Sequence, residues 1–366
     1  MPVMEKPLTV RSVATRAVRV PLTFALGTSA AVVRAVPLLL VDLHTEEGVI
    51  GNAYVFCYTT AGARSIAAHL QEAVDLVKGR PASPVGIDRV LSRRFALLGV
   101  TGPVRMALSA LDMALWDGAA KAVGLPLTVV LGGERRPIPA YDSRGLGLME
   151  PLKLADEAEA LMASGLRAVK LRLGYETLAE DLRALRAVRA RLPDDMPVMV
   201  DYNQALTTAE AIRRGLALQA EGIAWLEEPI RHDDHRGNAV IARTLDVPLQ
   251  IGENFNGPEG MADAVALRAS DYVMPDVSRI GGVTGWMRAA GLAAAHGIEM
   301  SSHLMPEPSV HLLAATSTAH WLEYVDWADA VLEEPLTIAD GAVTPPDRPG
   351  LGIAWSEDKI ARLETV

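Results

Sequence analysis

Apolar positions along this chain recur with two different periods. "TVRSVATRAVRVPL", "VPLLLVDLHT" and "VIGNAYVF" are rich in β-branched residues and alternate or run continuously, with "TEEG" as a turn between the last two. That is the signature of antiparallel strands. The intervening "TFALGTSAAVV" is small, apolar and contains Gly27, and is expected to form a loop. Helical spacing follows in "AGARSIAAHLQEAVDLVKG" and "GPVRMALSALDMALWDGAAKAVG", and "LPLTVVLGG" closes the unit. Strands first and helices second define an α+β module over 1–135.

Beyond Arg135 and Arg136 the pattern becomes strict alternation. The strand-length runs "PIPAYDS", "AVKLRL", "PVMVDYN", "IAWLEEP", "LQIGEN", "DYVMPD", "IEMSSH" and "HWLEYVD" are mostly separated by helical stretches. Eight such strands predict a (β/α) barrel over 136–326, with its site at the C-terminal strand ends. The tail, 327–366, contains the Gly/Pro-rich "LTIADGAVTPPDRPGLGIAW" and is expected to fold back on the first module.

Composition narrows the class. Half of the 366 residues are hydrophobic and 22% are charged, the balance of a globular protein with a large core. A net charge of −10 with interspersed signs argues against a nucleic-acid surface. No apolar run approaches the length of a bilayer span, and the N-terminus carries an early acid rather than a signal sequence. The single cysteine, Cys57, allows no intramolecular disulfide and suits a reducing cytoplasm. Lysine is rare: Lys6, Lys78, Lys121, Lys153, Lys170 and Lys359 are the only ones among 35 basic residues. A lysine retained inside the apolar strand "AVKLRL", two residues before Arg172, therefore stands out.

The strand ends carry Lys170 and Arg172, Asp201 and Asn203, Glu227 and Glu228, Glu253, Asp276, His303 and Glu323. From Lys170 the principal positions are 31, 26, 26, 23, 27 and 20 residues apart, about one βα unit each. A single polar residue at a strand end ordinarily begins a surface loop. Seven ionisable residues in phase converge on one cavity. Asp201, Glu227 and Glu253 would repel one another unless a cation neutralised them. An all-oxygen ligand set without Cys or His suits Mg²⁺, with Mn²⁺ as the alternative. Asp276 beside His303 makes an oriented general base. A metal and a base together suit removal of the proton α to a carboxylate, through an enediolate.

"VKLRLGY", "VDYNQ", "WLEEP", "GEN", "MPDVSRIGGVTGW", "SSHL" and "LLAATSTAHWLE" closely resemble the mandelate racemase subgroup of the enolase superfamily. The likeness extends through "RAVRVPL" and "FCYTT" to "PGLGIAW". The resemblance implies an α+β capping domain over a modified (β/α)₇β barrel of the TIM type. It implies that Asp201, Glu227 and Glu253 bind Mg²⁺ and that His303 with Asp276 is the base for one substrate configuration. Lys170 would bind the carboxylate and Glu323 would be an acid toward it. Ser143, Asn203 and Tyr58 would line the site, and Leu26, Ala30 and Val33 would form an apolar ceiling. A homo-oligomer, an octamer by family analogy, and a small hydroxy-carboxylate substrate are implied as well.

The departure is Arg172, where racemases of the subgroup hold a second lysine. A guanidinium is effectively never deprotonated, so it cannot serve as the second base. The expected activity is racemisation or epimerisation of a mandelate-like 2-hydroxy acid. The alternative is dehydration of an acid sugar or other hydroxy acid by the same base, with Arg172 as an electrostatic group. A non-catalytic binding protein is a third reading, opposed by the complete set of carboxylates and the Asp–His pair.

Overall fold

A computed structural model describes residues 7–28 and 32–365. The first module is an antiparallel sheet of β1 (Val10–Gly27), β2 (Val32–Thr45) and β3 (Ile50–Phe56). It is backed by α1 (Thr60–Val77), α2 (Pro84–Arg94) and α3 (Gly102–Val123), and ends with α4 (Leu127–Val130). The expected loop "TFALGTSAAVV" is mostly strand: β1 runs to Gly27, β2 resumes at Val32, and Leu26 pairs with Val33. β-Propensity in Thr23, Phe24, Val32 and Val33 favours strand up to Gly27 and from Val32. Ala30 lies outside the described residues.

Eight parallel strands follow: β4 (Ile138–Asp142), β5 (Val169–Arg172), β6 (Val198–Asp201), β7 (Leu226–Glu227), β8 (Leu249–Ile251), β9 (Tyr272–Val273), β10 (Glu299–Met300) and β11 (Leu322–Tyr324). They pair in sequence order from β4 to β10, and β11 returns to pair with β4. The Ser302 amide donates to the Trp321 carbonyl at 3.0 Å and closes the ring.

Each strand but the last is followed by helix. These are α5 (Pro151–Leu161), α6 (Leu178–Arg189), α7 (Thr208–Gln219), α8 (His235–Thr244), α9 (Gly257–Ala266), α10 (Val277–Ile280) with α11 (Gly282–His296), and α12 (Pro306–Ala314). Local chemistry sets the starts. Thr177 and Glu180 form a capping box at α6, and Thr59, Thr207 and Asp234 cap α1, α7 and α8. The architecture is the modified (β/α)₇β barrel with an N-terminal α+β module.

The tail divides. Its hairpin, β12 (Ile338–Ala339) and β13 (Ala342–Val343), pairs antiparallel with β4 of the barrel. After the short α13 (Glu357–Ile360), β14 (Glu364–Thr365) pairs with β1 of the first module. Asp117 on α3 ties three segments together. Its buried carboxylate accepts from the amides of Asn52 at 2.7 Å and Leu351 at 2.6 Å, and from Lys121 Nζ at 2.7 Å.

Removing that acceptor orphans two buried amides, each worth about 1–3 kcal/mol. Asp117→Ala is expected to destabilise the protein by about 3 kcal/mol. The urea midpoint falls, and the Leu351 amide loses hydrogen-exchange protection before the barrel amides do.

Candidate active site

The barrel interior is built in two layers by the two-residue period of its strands. Tyr141, Ala168, Met199 and Trp225 pack as a buried apolar floor. Two residues further along the same strands stand Ser143, Lys170, Asp201 and Glu227. Trp225 fixes the layer above it by donating from Nε1 to Glu227 Oε2 at 3.0 Å. On β8 the phase is broken. Gln250 points inward to Glu227, and Gly252 then adopts a φ of 138° available only to glycine, which turns Glu253 into the cluster.

One carboxylate oxygen from each of Asp201, Glu227 and Glu253 lies within 4.8 Å of the others, a spacing that a single cation can span. Asp201 and Glu227 are fully buried. Burial, with Asp201, Glu323 and Glu253 close by, pushes the Glu227 carboxyl up to about 7 in spite of Lys170. Glu228, buried against Glu253, is held well above the carboxylate range. Asn254 donates to Glu228 at 2.9 Å and to Glu253 at 3.2 Å. Asn203 holds Asp201 with its backbone amide at 2.7 Å and its side chain at 2.9 Å. The set is all oxygen, crowded and electrostatically short of positive charge, so it fits a hard divalent ion.

Lys170 reaches three of these acids: Glu323 at 2.5 Å, Glu227 at 2.9 Å and Asp201 at 3.4 Å. Burial alone would weaken its charge, but the three carboxylates outweigh burial and keep the amine protonated. Glu323 also accepts from Ser143 Oγ and the Leu304 amide, both at 2.7 Å. Although burial opposes it, Lys170 and His303 hold this carboxyl at about 2.

His303 follows β10, three strands around the closed barrel from Lys170 on β5. Its Nδ1 meets Asp276 at 2.9 Å, and Asp276 in turn accepts from the Ser278 amide at 2.7 Å and hydroxyl at 2.5 Å. That arrangement fixes the ring and leaves Nε2 facing the cluster, 3.3 Å from Glu253. Burial lowers the imidazole's proton affinity, yet Glu253, Glu323 and Asp276 raise it to about 9.

Arg172 behaves differently from Lys170. Its guanidinium turns away from the carboxylates, donating to Ser143 Oγ at 2.9 Å and to the Gly145 carbonyl at 2.9 Å. Tyr58 stands at the rim with φ 60°, stacked on Phe56 at 4.2 Å and beneath Arg279 at 4.7 Å. Leu26 is buried and Val33 half-buried on the β1–β2 hairpin. The hairpin docks on the β4–α5 loop, where the Leu148 amide donates to the Gly27 carbonyl at 2.9 Å. Gly252, Asn254 and Arg279 were not singled out by sequence reasoning. The "GEN" and "VSRIGG" stretches that contain them were the available signal.

Residues 8–132 match the mandelate racemase/muconate lactonizing enzyme N-terminal domain, and residues 153–359 match the enolase C-terminal domain-like family. The chain therefore belongs to the mandelate racemase/muconate lactonizing enzyme family of the enolase superfamily. Among its relatives is the L-talarate/galactarate dehydratase of Salmonella typhimurium. That enzyme is 34% identical over 326 residues, covering 88% of this chain and 81% of the relative. A magnesium-bound enolase structure from alpha proteobacterium BAL199 superposes with a TM-score of 0.95 at 41% identity, covering 98% of this chain and 100% of that one. A Bradyrhizobium enolase complexed with magnesium and mandelic acid gives 0.93 at 39% identity, with 99% and 100% coverage.

The hairpin contact is tight enough to test. A side chain on Gly147 would place its Cβ 2.3 Å from the Gly27 nitrogen, which is backbone and cannot swing aside. Gly147→Ala is expected to lift the hairpin at an overpacking penalty of about 1–3 kcal/mol. The Leu148 amide then exchanges at least about tenfold faster with solvent deuterium.

Proposed function

We propose that this enzyme removes the proton α to the carboxylate of a small hydroxy acid, with His303 Nε2 as the base and Asp276 as its positioning residue. The observation that carries this reading is the oriented His303–Asp276 pair facing three convergent carboxylates across the barrel mouth. Asp201, Glu227 and Glu253 would hold Mg²⁺, or Mn²⁺ in its place. The ion supplies Lewis-acid stabilisation of the charge that develops on the substrate carboxylate. Lys170 contributes a fixed positive charge toward the same group, while Glu323, held as a carboxylate, positions Lys170 at 2.5 Å. Arg172 holds Ser143, which in turn holds Glu323. Asn203 would fix Asp201, while Tyr58, Leu26 and Val33 would bound the substrate, with Ala30 between the last two in sequence.

Dehydration needs one base, which can then protonate the departing β-hydroxyl. Arg172 is never a base and Lys170 is engaged by Glu323, Glu227 and Asp201, whereas the His303 ring is fixed by Asp276 with Nε2 facing the cluster, so the geometry offers one oriented base. The dehydratase among the relatives agrees with this. Racemisation is a second reading. Lys170 Nζ stands across the barrel from His303, and the Bradyrhizobium enolase binds mandelic acid.

No helix among the described residues is long and apolar enough to cross a membrane. Cys57 is a buried free thiol, in keeping with a cytoplasmic enzyme. Leu97 is fully exposed and Leu98 is 65% exposed, an apolar pair consistent with a homo-oligomer, for which an octamer is the family expectation.

The test is solvent exchange in D₂O with the Mg²⁺-loaded protein, offering each mandelate enantiomer and a panel of acid sugars. Exchange or β-elimination is expected from one face only, and His303→Asn should lower it by about 10²–10⁴-fold. Exchange that survives His303→Asn would refute the assignment. Exchange from both mandelate enantiomers would establish the racemase reading over the dehydratase one.

A further inference from the structure

Between the first module and the barrel mouth lies a cavity of about 440 Å³, lined by Tyr58, Thr101, Arg105, His232, Asn254 and Arg279 among others. Two of these are cations whose surroundings differ. Arg279 lies over the Tyr58 ring and donates from Nη1 to Asn254 Oδ1. The same Asn254 amide donates to Glu228 and Glu253. One side-chain amide thus separates Arg279 from the candidate metal ligands, so the cavity adjoins the reacting end of the site.

Arg105 projects from the first turn of α3 across the module boundary. Its Nε is buried with no partner, and its guanidinium donates no hydrogen bond among the described residues. Two positive-φ glycines of the barrel make room for it. A Cβ on Gly257 would lie 2.8 Å from its Nη2, and one on Gly281 would lie 3.4 Å from its Nη1. Glu259 is the neighbouring acid, its Oε2 bordering the same Gly257 position as Arg105 Nη2; Asp88 adds to its attraction and Arg288 opposes both. Neither acid forms an ion pair with it, and Asp88 pairs with Arg288 at 3.0 Å. Burial disfavours its charge. A partly buried, unpartnered guanidinium is an unfavourable arrangement that a planar anion relieves by bidentate hydrogen bonding. Thr101 and Asn256 add neutral groups suited to hydroxyls.

We propose that this cavity receives the end of the substrate remote from the reacting carbon, and that this end carries a second carboxylate bound by Arg105 with Arg279. The substrate is then a dicarboxylic hydroxy acid. This deepens the proposed function and rests on it for the position of the first carboxylate.

Matched probes test it: galactarate against galactonate, glucarate against gluconate, and mannarate against mannonate. Each pair differs only in whether the far end is a carboxylate or a hydroxymethyl group. Calorimetry on the full-length Mg²⁺-loaded protein is expected to show at least one diacid binding tighter than its partner by about tenfold or more, the value of a charge-assisted hydrogen bond. Arg105→Gln should abolish that preference and Arg105→Lys should retain part of it, with magnesium affinity reporting that the fold is intact. No diacid preference in any pair, or a preference that survives Arg105→Gln, would overturn the assignment. Proton exchange is read separately. Arg105-dependent diacid binding without exchange keeps the cavity's role and removes the proposed chemistry. Exchange without diacid preference does the reverse.

Discussion

Like charge held at close range is the constraint on which the rest of this structure depends. Asp201, Glu227, Glu228, Glu253, Asp276 and Glu323 converge on the barrel mouth, where burial strengthens their mutual repulsion. Only a stiff scaffold keeps such groups together. Short parallel strands bonded on both sides provide it, and the Tyr141–Met199–Trp225 floor fixes the layer from below. Lys170 and His303 balance part of the charge from opposite sides. Burial, together with the charge that remains, displaces Glu227 and Glu228 upward, and these are the groups with most to gain from a cation.

A second dependency runs through Arg172. Its hydrogen bonds stiffen the β4–α5 loop at Ser143 and Gly145, while its own backbone amide donates to the Leu146 carbonyl at 2.9 Å. The same loop presents Gly147 and Leu148 to the hairpin through Gly27. One rigid cation thus supports both the Ser143–Glu323 contact and the surface on which the hairpin rests. Arg suits this better than Lys because its planar fork satisfies several acceptors at once. The two cations of "VKLRLGY", adjacent in phase, therefore act on different partners.

Much of the architecture was legible because barrels repeat. Eight apolar runs with an acid, amide or base at each C-terminal end announce both the strands and their convergence. The carboxylate trio and the position of His303 beside Asp276 follow from that phase. What stayed hidden depends on non-local contacts. The described ends of the β1–β2 hairpin, to Gly27 and from Val32, looked like loop because of the small residues in that stretch, whereas Leu26 pairing with Val33 makes them strand. α2 passed unnoticed in a polar stretch whose start is set by Pro84. Gly252 gives no local hint that it shifts the phase of β8. Arg105 lies in a helix 150 residues from the loop it reaches, and only the fold brings it to the barrel mouth.

The claim that the mouth is organised around a divalent ion is tested most directly by titrating the purified, chelator-treated protein with Mg²⁺ in a calorimeter. The account predicts one ion per chain, a rise in the unfolding midpoint on binding, and loss of both in Glu227→Gln. No saturable binding, or binding undiminished in Glu227→Gln, would contradict it.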